Sequence, residues 1–101
     1  MKTKLGILVN SPNHMDYVIA LARAAHAKGK DVHIHLTQQG VLLLREKAFS
    51  DLIRLVKVSV CKESVKVFGL KAEIGNSREK ILAPSCRMAE LLSDSDRCVV
   101  F

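Results

Sequence analysis

The stretch KVSVCKESVKVFGL, residues 57–70, decides how the chain is read. Its first residues, Lys57 to Val60, form a short β-branched run of the kind that suits a covered strand. From Glu63 the spacing turns helical, and Gly69 stands where a short helix would stop. A strand that passes directly into a helix is the repeating unit of a parallel sheet. Cys61 sits at the changeover. It is either a small apolar filler at a strand end or a thiol placed for chemistry, and position alone leaves both readings open.

Working outward, the same alternation recurs. LGILVNS is an apolar run closed by a turn cluster, and Ser11 with Pro12, or Asn13 with Asp16, supplies a helix start. The following helix places Met15, Val18, Ile19, Ala22 and Ala25 on one side and stops at Gly29. DVHIHLT is a second strand. QQGVLLLREK is an irregular apolar segment that leads into a helix from about Ala48 to Val56. Beyond residue 70, KAEIGNS is turn-rich and EKILA is a fourth strand. Ser85 then caps a helix over CRMAELLSDS, and RCVVF is a last strand. The order predicts one α/β domain over residues 1–101, a mainly parallel five-stranded sheet with helices on both faces. In such sheets the site lies beyond the carboxyl ends of the strands, at residues 10–14, 37–40 and 61–64.

The bulk numbers agree with a single small domain. A chain of 101 residues with three Phe, one Tyr and no Trp has an aliphatic core. Its size buries roughly 60–68% of the unfolded surface, so self-association is a natural gain. The net charge is +6. The lysines are scattered, no run of five like charges occurs, and no aromatic ladder is present, so nucleic-acid binding is not expected. MKTKLGILV has too short an apolar stretch for a signal peptide, and no window nears the ~20 apolar residues of a membrane span. With three cysteines, an odd number, the expectation is a soluble cytoplasmic protein with reduced thiols.

Three groups of residues carry candidate chemistry. The Cys61 sulfur precedes a helix, whose terminus contributes up to ~2 kcal/mol to a nearby anion. Lys62 adds to that effect, and Glu63 opposes it if it faces the same way. Cys98, among Val99, Val100 and Phe101, reads as filler, while Cys86 at a predicted helix start is a candidate partner for an oxidised Cys61. His33 and His35 alternate with Val32, Ile34 and Leu36 and so share one strand face. They would bind zinc only if His14, Cys61 or a carboxylate completed the set. Packing under a helix or at a subunit contact is the plainer account. His14, in the first strand–helix loop, is either a proton donor near Cys61 or a surface residue. NSPNHMD lacks the GxGxxG spacing, and the chain has neither GxxxxGK[ST] nor GxSxG.

KVSVCKESVKVFGL resembles the segment of the DsrE/DsrF-like family in which a strand ends in a cysteine, a serine follows three residues later, and a glycine closes a short helix. Cys61, Ser64 and Gly69 occupy those places. KLGILVNSP resembles the family's first strand and loop, the stretch from Met15 to Leu44 its first helix and second strand, and MAELLSDSDRCVVF its closing helix and strand with Asp96 before it. The resemblance implies a three-layer α/β/α fold that forms homo- or hetero-oligomers, here a dimer or trimer. It also implies that Cys61 carries sulfur as a persulfide between donor and acceptor proteins, without metal or organic cofactor. Asn10, His14, Lys62 and Ser64 are the candidate supporting residues. The alternative is a non-catalytic subunit or binding module on the same fold. RCVVF and GVLLL are the apolar segments expected at subunit contacts.

Overall fold

The computed structural model describes residues 3–70, the backbone of 82–83, residue 91 and residues 93–101. The strands are β1 (Lys4–Val9), β2 (Asp31–Leu36), β3 (Lys57–Cys61), β4 (Leu82–Ala83) and β5 (Arg97–Val100). Between them run helices α1 (Met15–Ala27), α2 (Lys47–Ile53) and α3 (Lys62–Val67). The sheet order is β4-β3-β2-β1-β5 and every pairing is parallel. Four strands are four to six residues long, and β4 is a two-residue edge joined to β3.

This order explains where the helices lie. The steps from β1 to β2, β3 and β4 all move one way across the sheet. Right-handed crossovers therefore put α1, α2 and α3 on one face. β5 lies on the opposite side of β1, so the order reverses there, and of the residues before it Leu91 and Ser95 lie over the other face. Register separates the two faces: Leu5, Ile7 and Val9 align with Val32, Ile34 and Leu36, which align onward with Val58 and Val60. All of these are buried in one cluster with Val18, Ala22 and Ala25 of α1, Phe49 and Leu52 of α2, and Val65 of α3. The opposite face carries Gly6, Leu8, His33, His35 and Ser59. Leu91 and Ser95 pass close over Gly6 there, where a Cβ would collide with the Ser95 hydroxyl and crowd Leu91.

Both predicted helix stops form for the expected reason. Gly29 and Gly69 take φ of +78° and +64°, in the left-handed region. The Lys30 and Leu70 amides donate back to the Ala25 and Val65 carbonyls, and Leu70 is buried under its own cap. The start of α1 differs in part. Ser11 caps a 3₁₀ turn, Pro12–His14, by accepting the Asn13 amide at 3.2 Å. Asn13 and Asp16 do not form the alternative cap, since α1 begins after His14 without a side-chain cap bond.

QQGVLLLR is an eight-residue 3₁₀ segment, Gln38–Arg45, and α2 ends three residues earlier than its apolar pattern implies. Val41, Leu43 and Leu44 are buried in this chain's own core. The apolar surface expected from GVLLL is therefore mostly spent on this chain's own core, with Leu42 alone left partly exposed. The segment is held down by its entry: the Thr37 amide donates to the Val9 carbonyl, and Gly40 lies flat against that same carbonyl. The predicted helix from Ser85 is described only at Leu91, Ser93 and Asp94; its start, Cys86, and residues 79–81 of the expected fourth strand lie outside the described residues.

A methyl group at Gly40 would meet the Val9 backbone, which cannot move without opening the sheet. Gly40→Ala is expected to lose about 3 kcal/mol. Gly29→Ala meets no atom within 4 Å and incurs only the left-handed backbone penalty, about 1–2 kcal/mol. Urea titration of both variants checks the ordering; equal losses would show that Gly40 is not pinned.

Candidate functional site at the carboxyl edge of the sheet

β1, β2 and β3 end along one edge, and the segments that follow them enclose a cleft of about 560 Å³. Asn10 follows β1, Gln38 and Gln39 follow β2, and Glu63, Ser64, Val67 and Phe68 follow β3. Its polar wall is therefore three amides, a hydroxyl and one carboxylate. Its position obeys the rule that parallel sheets bind beyond their carboxyl ends.

The wall is fastened across strands. Ser64, only 9% exposed, accepts the Gln38 amide at 2.8 Å. Gln38 has φ +50°, a left-handed conformation in a residue other than glycine. Such a backbone persists only where its surroundings hold it. Here Ser64 holds it from one side and the Thr37 amide on Val9 from the other. Ser64 is thus bonded to the neighbouring loop and has no described contact with the Cys61 sulfur. Asn10 lines the cleft, and its backbone amide donates to the Phe101 carbonyl at 2.8 Å.

Cys61 ends β3 and is the cap residue of α3. It shares a sheet face with Ser59, two residues before it. The residue is 4% exposed, so the resting thiol is covered. Its sulfur makes no cap bond to a helix amide. Instead the thiol donates to Glu63 Oε2 at 3.5 Å. Among the described residues, no backbone amide makes the expected anion-holding contact with Sγ. Glu63 does face the same way, as the opposing case required. Lys62 points to solvent without a described bond or ion pair. His14 is exposed, with the Tyr17 and Phe101 rings each 6.2 Å from its own, and it has no described contact with Cys61.

The histidine pair has a partner that the sequence did not reveal. His33 Nε2 and His35 Nδ1 lie 3.0 and 2.7 Å from the same Ser59 hydroxyl. Register makes this possible, since His35 aligns with Ser59. One hydroxyl proton serves one ring, and the other ring donates to the oxygen. This bridging accounts for two imidazoles packed on one face. Among the described residues no group of three His, Cys, Asp or Glu is placed to hold a metal ion.

Cys98 is exposed, not the buried filler its neighbours suggested. It lies on the edge strand opposite Gly6, which offers no side chain to cover it. Residual desolvation raises its thiol above the ordinary value, and a hydrogen bond from the Val99 backbone pulls it partly back.

The model of the DsrE/DsrF-like family matches residues 3–101. The chain belongs to the DsrE/DsrF-like family. The match runs through every element described above, from β1 to β5, and includes Cys61, Ser64 and Gly69. A comparison with curated proteins finds no match. No helix among the described residues is long and apolar enough to cross a membrane.

The burial difference gives an ordering of the thiols. In the folded chain, iodoacetamide is expected to alkylate Cys98 ahead of Cys61. Because the Cys98 thiol is raised, its rate is expected to keep climbing at pH values where an ordinary thiol has levelled off. Peptide mapping over time and pH tests this, and earlier labelling of Cys61 would show that its cover is not maintained in solution.

Proposed function

We propose that the chain is a cytoplasmic sulfur carrier that holds persulfide sulfur on Cys61. The observation that carries this reading is the family match over residues 3–101 together with a cysteine at the end of β3, beside a polar cleft. A thiolate at Cys61 attacks the outer sulfur of a donor persulfide. The donor S–S bond breaks, the donor leaves as a thiol, and Cys61 becomes Cys–S–SH. An acceptor thiolate then takes that outer sulfur and Cys61 returns to the thiol. Atoms and oxidation levels balance without a metal or organic cofactor. Donor and acceptor are proteins that reach the carboxyl edge of the sheet. Asn10 and Ser64 shape that edge, Lys62 offers a positive charge to an incoming anion, and the exposed His14, in the loop after β1, is offered as a proton-exchange group.

A second reading has its own support. Cys61 is 4% exposed, as expected of a non-catalytic subunit or binding module in which the cysteine only fills space. The two separate on one experiment. With a persulfide donor, the folded protein is expected to gain the mass of one sulfur atom on the peptide that contains Cys61, and Cys61→Ser to lose that gain. The comparison belongs in a Cys98→Ser background, because the exposed Cys98 competes for sulfur. A wild-type Cys61 peptide of unchanged mass would leave the binding-module reading in place.

We also propose that the carrier is a homo-oligomer, a dimer or trimer. β5 is an edge strand with Val100 56% exposed, and Tyr17 and Val67 are 69% and 77% exposed. Three large apolar side chains in water on so small a domain favour self-association. Sedimentation at micromolar concentration is expected to show a species at least twice the chain mass, and a stable monomer would refute it.

A further inference from the structure

We propose that the groove between α1 and β5 binds a free aliphatic carboxylate, its chain along the groove floor and its head on Lys28, Lys30 and Arg97. The site is separate from the Cys61 edge, and the proposal stands whether or not the chain carries sulfur.

Topology leaves the groove. α1 connects β1 to β2, whereas β5 lies beyond the other side of β1, so the strip of sheet from β1 to β5 extends past the helix. Leu91 and Ser95, just before β5, lie over the opposite face. A gap of about 270 Å³ remains beside α1, at the amino ends of β1 and β5. Its floor is Leu5 of β1 with Leu21, Ala24 and Ala25 of α1. The two alanines keep it open, since a methyl group fills little of the space between helix and strand.

The rim is cationic. Arg97 aligns with Leu5 in the parallel pairing, so its side chain stands on the α1 face. Lys28 and Lys30 flank Gly29, whose left-handed φ of +78° turns the chain out of α1. All three cations line the same groove. The carboxyl end of a helix opposes an anion, but here its last carbonyls are occupied. Those of Ala24, Ala25 and His26 accept the Lys28, Gly29 and Lys30 amides. The acidic neighbours in sequence are placed elsewhere: Asp96 Oδ2 accepts the Lys4 amide at 2.7 Å, and Asp31 lines a separate cavity with His33 and Ser95.

Charge and chemistry together select the occupant. A two-fold contact between copies would set the three cations against their own copies, which disfavours a second chain in this groove. Hydrocarbon on the floor suits a run of CH₂ groups better than a peptide, whose amides need partners. At the rim the planar fork of Arg97 matches a carboxylate, and the two ammonium groups add to it. A flexible chain with one anionic end satisfies both parts.

The test is calorimetric titration of the folded chain with decanoate, with the site read from methyl shifts in NMR spectra. One decanoate is expected to bind per chain and to shift Leu5 and Leu21. Hexanoate is expected to bind about tenfold more weakly, since each buried CH₂ contributes up to about fourfold. The double variant Lys28→Gln/Lys30→Gln is expected to weaken decanoate about tenfold, as two partly exposed charge contacts would. Ala24→Glu, at an exposed position of α1, is expected to abolish binding. Circular dichroism confirms that the variants stay folded. Decyltrimethylammonium has the same tail and the opposite charge, and equal binding of it overturns the proposal. Shifts confined to the Cys61 cleft, or no binding at millimolar decanoate, overturn it too. Adsorption to phosphatidylglycerol vesicles without decanoate binding would make the rim a membrane contact and likewise refute the proposal.

Discussion

The arrangement at the carboxyl edge depends on one close contact, that of Gly40 with the Val9 carbonyl. The Val9 oxygen already accepts the Thr37 amide, so β2 cannot leave the sheet in any other direction. Gly40 must then cross directly over the end of β1, and only a residue without a side chain fits there. The turn in between forces Gln38 into a left-handed backbone, and its amide is delivered to Ser64. Ser64 belongs to the first turn of α3. The contact between β1 and β2 therefore reaches through two hydrogen bonds to the helix that follows Cys61. A shift at Gly40 would be felt at the thiol although the two residues are twenty-one positions apart in the chain.

The sheet divides its labour by face. Leu, Ile and Val on one side of β1, β2 and β3 make a continuous apolar layer against α1, α2 and α3. That layer supplies the cohesion of a domain too small to have much margin. The other side holds the side chains that need partners: His33 and His35 around Ser59, and Cys61 beyond them on the same strand. Polar groups can be tolerated there because each ring nitrogen facing Ser59 is bonded, which offsets the cost of taking imidazole out of water. The cysteine is thus placed at the end of the polar face, away from the main apolar cluster, of which it is not a member.

How much of this could be read from the sequence follows from the range of each interaction. Strand and helix order was legible because periods of two and 3.6 are local, as were the stops at Gly29 and Gly69, where only a left-handed residue fits. Val18, Ala22 and Ala25 showed their buried face for the same reason. The 3₁₀ segment was not legible, because Gln38–Arg45 has no clean helical spacing and is shaped by its clamp on Val9. GVLLL was taken for surface because an apolar run looks the same whether it covers its own core or a neighbour's. Ser59 went unnoticed as the partner of two histidines, since pairing depends on strand register, which no single strand encodes. At the carboxyl edge the approximate place of the cleft was legible, whereas the direction of the Glu63 side chain was not, because a rotamer depends on surroundings that no local pattern encodes.

A covered thiol is often taken as evidence against reactivity, yet for a carrier of sulfur the opposite argument has force. A persulfide left in water reacts with the first thiol it meets, so the group that carries it gains from being exposed only on demand. Exposure on demand requires a barrier that a partner can lower and solvent cannot. Hydrocarbon packing would be a poor barrier of that kind, because a polar partner has nothing to grip. In this chain the Cys61 thiol is 4% exposed, and its one described hydrogen bond runs to Glu63 Oε2, a carboxylate that also lines the open cleft, so a polar group rather than hydrocarbon alone stands between the sulfur and that opening.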